Sequence, residues 1–241
     1  MEYFKISLRP HKKIVNVDYC EGLIWESFDV LSKTGQVYPN FQVVNEGESR
    51  YSVYLLMPGA DALDFKYCSE DTVAAVEKLA GIFSLRIESV GNCITCEDSC
   101  VCEAPSWYSL YTDMMAEESP VLCGDCGKPV PLYKLPMILD NEGRSVFLNW
   151  QEQFRAMQKL DAYNYSAELE KEMYNPASRL NKTARGLCRA LEKAKNVPVF
   201  CHMERAKANG TACPVCGNDM VNFAGEGISG LACEACRVTV H

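Results

Sequence analysis

The stretch Cys213-Pro214-Val215-Cys216-Gly217, followed after fifteen further residues by Cys233-Glu234-Ala235-Cys236, decides how the end of this chain folds. Each C-x-x-C turn can present two sulfurs to one tetrahedral ion, and the residues between them can form strands that bring the turns together. Gly217 stands where such a turn calls for a positive φ. The spacing predicts a C-terminal zinc ribbon over 197–241 with Cys213, Cys216, Cys233 and Cys236 as its ligands. A four-thiolate site leaves no coordination position for substrate, so it predicts a scaffold or docking surface rather than a catalytic metal.

A second cluster lies upstream. Cys123-Gly124-Asp125-Cys126-Gly127-Lys128-Pro129 reads as another zinc knuckle. Its partner pair is open: Cys93-x-x-Cys96 has the better spacing, whereas Cys100-x-Cys102 lies nearer, twenty residues before Cys123. Either pair completes a tetrahedral thiolate set. The expected cofactor is therefore Zn2+, at the ribbon and at a second site. Cys20, Cys68 and Cys188 fall in amphipathic patterns and read as small buried apolar residues.

The first ninety residues predict strand, helix, strand, strand, helix, strand. Phe4, Ile6 and Leu8 alternate as in a half-buried strand, and Cys20, Leu23, Ile24, Phe28 and Leu31 follow helical spacing. Phe41 and Val43 mark a second strand, and Tyr51, Val53, Leu55 and Met57 a third, with Asn45-Glu46-Gly47-Glu48 as the turn between them. Val73, Val76, Leu79, Ala80 and Phe83 form a second helical stripe before a strand beginning at Leu85 and Ile87. That order is the split βαβ, ferredoxin-like arrangement. The fold class is α+β: a ferredoxin-like βαββαβ domain over 1–91, a central zinc-binding and helical segment over 92–196, and the ribbon. Within the central segment, Trp107-Tyr108-Ser109-Leu110-Tyr111 predicts an aromatic strand, and the prolines of 129–136 predict extended chain. Helical periodicity starts near 145 with Val146, Phe147, Trp150, Phe154 and Met157. Asn175-Pro176 reads as the start of a last helix reaching about 195.

The run Cys100-Val101-Cys102, the aromatic segment 107–111, the block Ser119-Pro120-Val121-Leu122-Cys123-Gly124-Asp125-Cys126 and Pro129-Val130-Pro131-Leu132-Tyr133 together resemble an uncharacterised bacterial family of zinc-ribbon proteins. That family is a domain of unknown function whose description offers nucleic-acid binding as its role. The resemblance continues through Trp150, Arg185-Gly186-Leu187-Cys188 and the terminal cysteine pairs, so it covers roughly residues 100–241. It implies that Cys100 and Cys102, rather than Cys93 and Cys96, join Cys123 and Cys126. Phe200-Cys201-His202-Met203 stands here in place of the family's aromatic stretch before the ribbon.

Charge and composition narrow the function. The 241 residues carry a net charge of −8, which argues against nonspecific coating of nucleic acid. Residues 21–120 hold 17 acids against 5 bases, whereas residues 179–241 hold 9 bases against 5 acids. On the helix over 176–195, Leu180, Ala184, Leu187, Cys188 and Leu191 share one side, and Arg179, Lys182, Arg185, Arg189 and Lys193 share the other. Such a stripe can track phosphates, although a solvated charged face is also what any amphipathic helix needs. Only three histidines occur, His11, His202 and His241, and no hydrolase triad, H-E-x-x-H helix or Walker loop is present. His202-Met203-Glu204 ahead of Cys213-Pro214-Val215-Cys216 imitates a zinc-deaminase signature. Its proline falls inside the cysteine pair, and eight residues are too few for the intervening strand and helix.

The expectation is a non-catalytic protein with one of two partners: nucleic acid held by the basic helix and ribbon, or a basic protein held by the acidic N-terminal half, as in an adaptor or immunity protein. The opening residues lack the basic start and apolar stretch of a signal peptide, and no apolar run approaches the roughly 18 residues of a membrane span. Fourteen cysteines suit a reducing compartment with metal sites. The expected setting is cytoplasmic, with no membrane association and no evident small-molecule substrate.

Overall fold

A computed structural model describes residues 1–138, 144–163, 167–204, 211–225 and 228–240. The chain divides into two compact units. Unit 1 comprises Met1–Ser99 with Pro131–Lys134, and unit 2 comprises Cys100–Val130 with Leu135–His241.

In unit 1, β1 (Glu2–Pro10), α1 (Val17–Lys33), β2 (Gln42–Gly47), β3 (Arg50–Met57), α2 (Glu70–Ile82) and β4 (Phe83–Asn92) follow in order. The four strands are antiparallel in the order β2-β3-β1-β4, which is the ferredoxin-like arrangement. Strand alternation sends Phe4, Ile6 and Leu8 to one face, where they meet Leu23, Ile24, Phe28 and Leu31 from α1. Both helices begin at side-chain caps. Asn16 accepts the Tyr19 N–H at 3.0 Å, and Ser69 accepts the Thr72 N–H at 3.2 Å.

Two local expectations shift. The β2–β3 turn falls on Glu48 and Ser49, both in left-handed backbone at φ 52° and 57°, so β2 runs through Asn45 to Gly47. The proline stretch is not uniformly extended. Pro131 accepts the Lys134 N–H, and Leu132–Lys134 close into a 3-10 turn that packs within unit 1. There the Tyr133 hydroxyl donates to Asp61 at 2.5 Å, and its ring meets Tyr67 edge-on at 4.8 Å.

Unit 2 is built on a six-stranded sheet of β5 (Tyr108–Leu110), β6 (Val121–Cys123), β7 (Val199–His202), β8 (Val221–Gly225), β9 (Ile228–Cys233) and β10 (Val238–Val240). Its order is β6-β5-β7-β10-β9-β8, and β7 runs parallel to both β5 and β10. Strands from 92–196 and from 197–241 thus share one sheet, joined through the wholly buried β7. Among the described residues the unit also holds α3 (Ser145–Ala162), α4 (Ala167–Tyr174) and α5 (Arg179–Lys195), and α5 packs on β7 and β5. Ser178 rather than Asn175 caps α5, accepting the Asn181 N–H at 3.1 Å, while Asn175 accepts the Ala177 N–H at 2.8 Å in the turn before it. Asn196 ends α5 in left-handed backbone, as a helix C-cap commonly does.

Among the described residues no helix is long and apolar enough to cross a membrane.

Candidate metal centres

Both cysteine tetrads assemble. Cys100, Cys102, Cys123 and Cys126 converge in one group, and Cys213, Cys216, Cys233 and Cys236 in another. Within each, all four sulfurs lie within 4.8 Å of one another, close enough to hold a metal ion. Of the two candidate pairs for Cys123 and Cys126, Cys100 and Cys102 come together with them. Cys93 and Cys96 are instead bonded to each other as a disulfide.

Backbone hydrogen bonds explain why these sequences form knuckles. In the first, Cys123 N–H donates to the Lys128 carbonyl at 2.9 Å and Gly127 N–H to the Cys123 carbonyl at 2.8 Å. In the second, Cys213 N–H donates to Asn218 at 2.7 Å and Gly217 N–H to Cys213 at 2.9 Å. The two turns have the same construction, and each needs its glycine at positive φ, 70° for Gly127 and 77° for Gly217. Amide groups also point at sulfur: Cys102 N–H lies 3.4 Å from Cys100 Sγ, and Val215 N–H lies 3.4 Å from Cys213 Sγ. Such donors favour thiolate over thiol.

The metal-free electrostatics run in both directions. Burial pushes the Cys100, Cys123 and Cys213 thiols up, and burial with the neighbouring Cys216 and Cys233 sulfurs raises Cys236. One sulfur in each tetrad moves the other way: burial of Cys126 is outweighed by the Lys128 amide and the surrounding thiols, which draw it down, and the Asn218 amide with the surrounding thiols draws Cys216 down to about 7. Four crowded sulfurs cannot all ionise without a cation among them, so the donor set is chemically matched to a soft divalent metal.

Sequence reasoning missed the residues that brace the knuckles. Trp107 lies flat against Gly124, whose N–H donates to the Trp107 carbonyl at 2.9 Å. The same indole meets Phe200 at 5.7 Å and Phe223 at 4.8 Å, both edge-on. Asp125 accepts the Ser106 N–H at 2.8 Å and its hydroxyl as well, which pins the approach to β5 onto the knuckle. In sequence the only signal was a glycine directly after Cys123, too common beside a knuckle to point at an indole.

The basic residues of α5 divide. Arg179, Lys182, Arg189 and Lys193 are exposed on one side of the helix, and among the described residues none makes an ion pair. Arg185 is half-buried, and its guanidinium donates to the Pro176 carbonyl at 2.7 Å, tying down the start of the helix. His202 lies buried in β7 with its ring 5.0 Å from Tyr111, while Cys213 and Cys216 join Cys233 and Cys236. Cys20 and Cys188 are buried as expected, whereas Cys68 is only half-buried.

Fold and sites together define an α+β protein with a ferredoxin-like unit and two cysteine tetrads able to hold metal. Residues 102–203 match the family described as a domain of unknown function (DUF2310). The chain is similar to two uncharacterized proteins of Haemophilus influenzae. One is 23% identical over 85% of this chain and 82% of that protein, and the other 25% identical over 66% and 82%. Among solved structures, a dimeric protein of unknown function and ferredoxin-like fold from Bacteroides fragilis matches at 19% identity. It covers 37% of this chain and 95% of that one, with a TM-score of 0.29.

Proposed function

We propose that this chain is a non-catalytic zinc protein that binds the phosphate backbone of a nucleic acid through the outer face of α5. Zinc is the reading for both tetrads because four sulfurs at about 2.3 Å from a tetrahedral ion stand about 3.8 Å apart. Cys216 Sγ and Cys233 Sγ are 3.8 Å apart. Four protein thiolates fill a tetrahedral shell, which argues for an architectural metal and against an activated water.

The observation that carries the nucleic-acid reading is the unpaired basic face. Elsewhere in this acidic chain many cations are engaged, among them Lys5 with Glu46, Lys33 with Asp29, Lys66 with Asp64, Arg155 with Glu152 and Arg237 with Glu192, while exposed Arg9, Lys12, Lys13 and Lys78 are scattered rather than gathered on one helix face. Arg179, Lys182, Arg189 and Lys193 project from one helix face with no carboxylate paired to them among the described residues. Four phosphate contacts imply a salt slope, log K against log salt, of about −3 to −4.

The test is fluorescence anisotropy of labelled single- and double-stranded DNA and RNA across salt concentrations. Lys182→Glu with Arg189→Glu is expected to abolish binding while zinc content stays the same. Unaltered affinity in that pair rejects α5 as the contact surface. Co-purification of a stoichiometric basic protein, with no retained nucleic acid, would favour the alternative in which the acidic N-terminal half is the binding surface.

A further inference from the structure

β4 is the outer strand of the unit 1 sheet, and it is exposed along its length in a way that its neighbours are not. After the buried Phe83, every residue from Ser84 to Asn92 is exposed. Its register gives that exposure a meaning. Ile87 lies opposite Ile6, and Leu85 opposite Leu8. Directly opposed residues share a face, and Ile6 and Leu8 are 2% and 0% exposed beneath the helices. Leu85 and Ile87 therefore extend the core-side apolar row beyond the helical cover, and they remain 37% and 49% exposed.

An open edge with apolar side chains is a template for another strand, and proteins ordinarily blunt such edges with proline, lysine or a bulge. The opposite edge is managed in this way: β2 is shorter and carries a register shift between Asn45 and Gly47. On β4 the segment Leu85–Ser89 is regular, with neither proline nor lysine, and its irregularity falls only beyond Ser89.

The two charges of β4 identify the occupant. Arg86 and Glu88 flank Ile87 and point to the face opposite the helices, where they form an exposed pair 2.8 Å apart. A strand with opposite charges placed symmetrically about one residue is complementary to itself. We infer that β4 is a homodimerisation edge, pairing antiparallel with β4 of a second copy about a two-fold axis at Ile87. In that register Arg86 faces Glu88 of the second copy, Glu88 faces its Arg86, and Leu85 faces Ser89. Ile87 meets its own counterpart, so the isologous contact is closed and two four-stranded sheets become one of eight. The inference is independent of what α5 binds.

Analytical ultracentrifugation of the full chain tests it. The wild type is expected to sediment at twice the 27.0 kDa of one chain. Arg86→Glu alone places glutamate against glutamate twice across the axis, and Glu88→Arg alone places arginine against arginine twice. Each variant is expected to sediment as a monomer. An equimolar mixture of the two restores opposite charges at both positions and is expected to return the dimer, as is the double variant R86E/E88R. Recovery in the mixture also shows that both single variants are folded. A monomeric wild type, single variants that dimerise as the wild type does, or a mixture that stays monomeric would overturn the inference.

Discussion

Arg237 Nε lies 3.3 Å from Glu192 Oε2, linking the residue after the last knuckle to the C-terminal turn of α5. The same carboxylate oxygen accepts the Val199 N–H at 3.1 Å, and the guanidinium sits 5.5 Å over the Phe200 ring. The Arg237 carbonyl accepts the Cys201 N–H at 2.8 Å. One residue thus ties the second tetrad, β7 and α5 together. It does so in left-handed backbone at φ 53°, in the place that glycine occupies in the two other knuckles.

That conflict between backbone and side chain yields the first prediction. Arg237→Ala keeps the unfavourable φ and loses both the ion pair and the ring contact, so unit 2 should lose about 1–2 kcal/mol. Arg237→Gly loses the same contacts but relieves left-handed strain of about 1 kcal/mol. Urea unfolding of the metal-loaded protein should rank the glycine variant above the alanine variant. The reverse order would mean that the backbone carries no strain there.

Gly124 gives a sharper steric test. A Cβ at that position would overlap the Trp107 indole, whose ring is held between Phe200 and Phe223 and cannot swing aside. Gly124→Ala should cost about 1–3 kcal/mol as an overpacking change and loosen the first tetrad in particular. Metal release to a chromogenic chelator should then be biphasic, with one equivalent leaving faster than in the wild type.

These braces mark the limit of what the sequence could disclose. The alternation of Phe4, Ile6 and Leu8 and the stripe of α1 were legible because each element buries one face and exposes the other. The tetrads were legible because metal coordination demands cysteines at fixed local spacing. Spacing could not choose between Cys93 with Cys96 and Cys100 with Cys102. That choice depends on the antiparallel pairing of Tyr108 with Cys123, which sets β5 beside the knuckle. Nor could it show β7 between β5 and β10, since Tyr108 and Val199 pair across some ninety residues with no local signal. The turn at Glu48 and Ser49 was missed because two non-glycine residues carry its positive φ angles. Asn175 and Ser178 are both capping residues, and only the backbone shows that the serine starts the helix.

Asp61 supplies a pH prediction for unit 1. Burial alone would raise its carboxyl, but the Tyr133 hydroxyl, the Lys134 ammonium and the Tyr67 hydroxyl hold it below the usual carboxylate range. A depressed native pKa contributes stability that is fully present above the unfolded value of about 4 and is lost as pH falls through the lower native value. Tyr133→Phe removes the strongest of these partners and should cost about 1 kcal/mol at neutral pH. The difference between variant and wild type should shrink on acidification below about pH 4. A gap independent of pH would assign the loss to packing of the ring instead.

Metal removal separates the two units. Thiolate zinc sites in small domains contribute apparent free energies of about 10–16 kcal/mol at neutral pH, which rivals the roughly 5–15 kcal/mol stability of a whole domain. The sheet of unit 2 is flanked by tetrads, with Cys123 closing β6 and Cys233 closing β9, whereas unit 1 rests on an apolar core of its own. The wild type should carry two equivalents of zinc and Cys216→Ser one. In that variant amide exchange should accelerate through β8, β9 and β10 while β1 and β3 keep their protection. Two equivalents of zinc retained in the variant would exclude Cys216 as a ligand. Loss of protection in β1 would show that the ferredoxin-like unit depends on the metal, contrary to what its independent core requires.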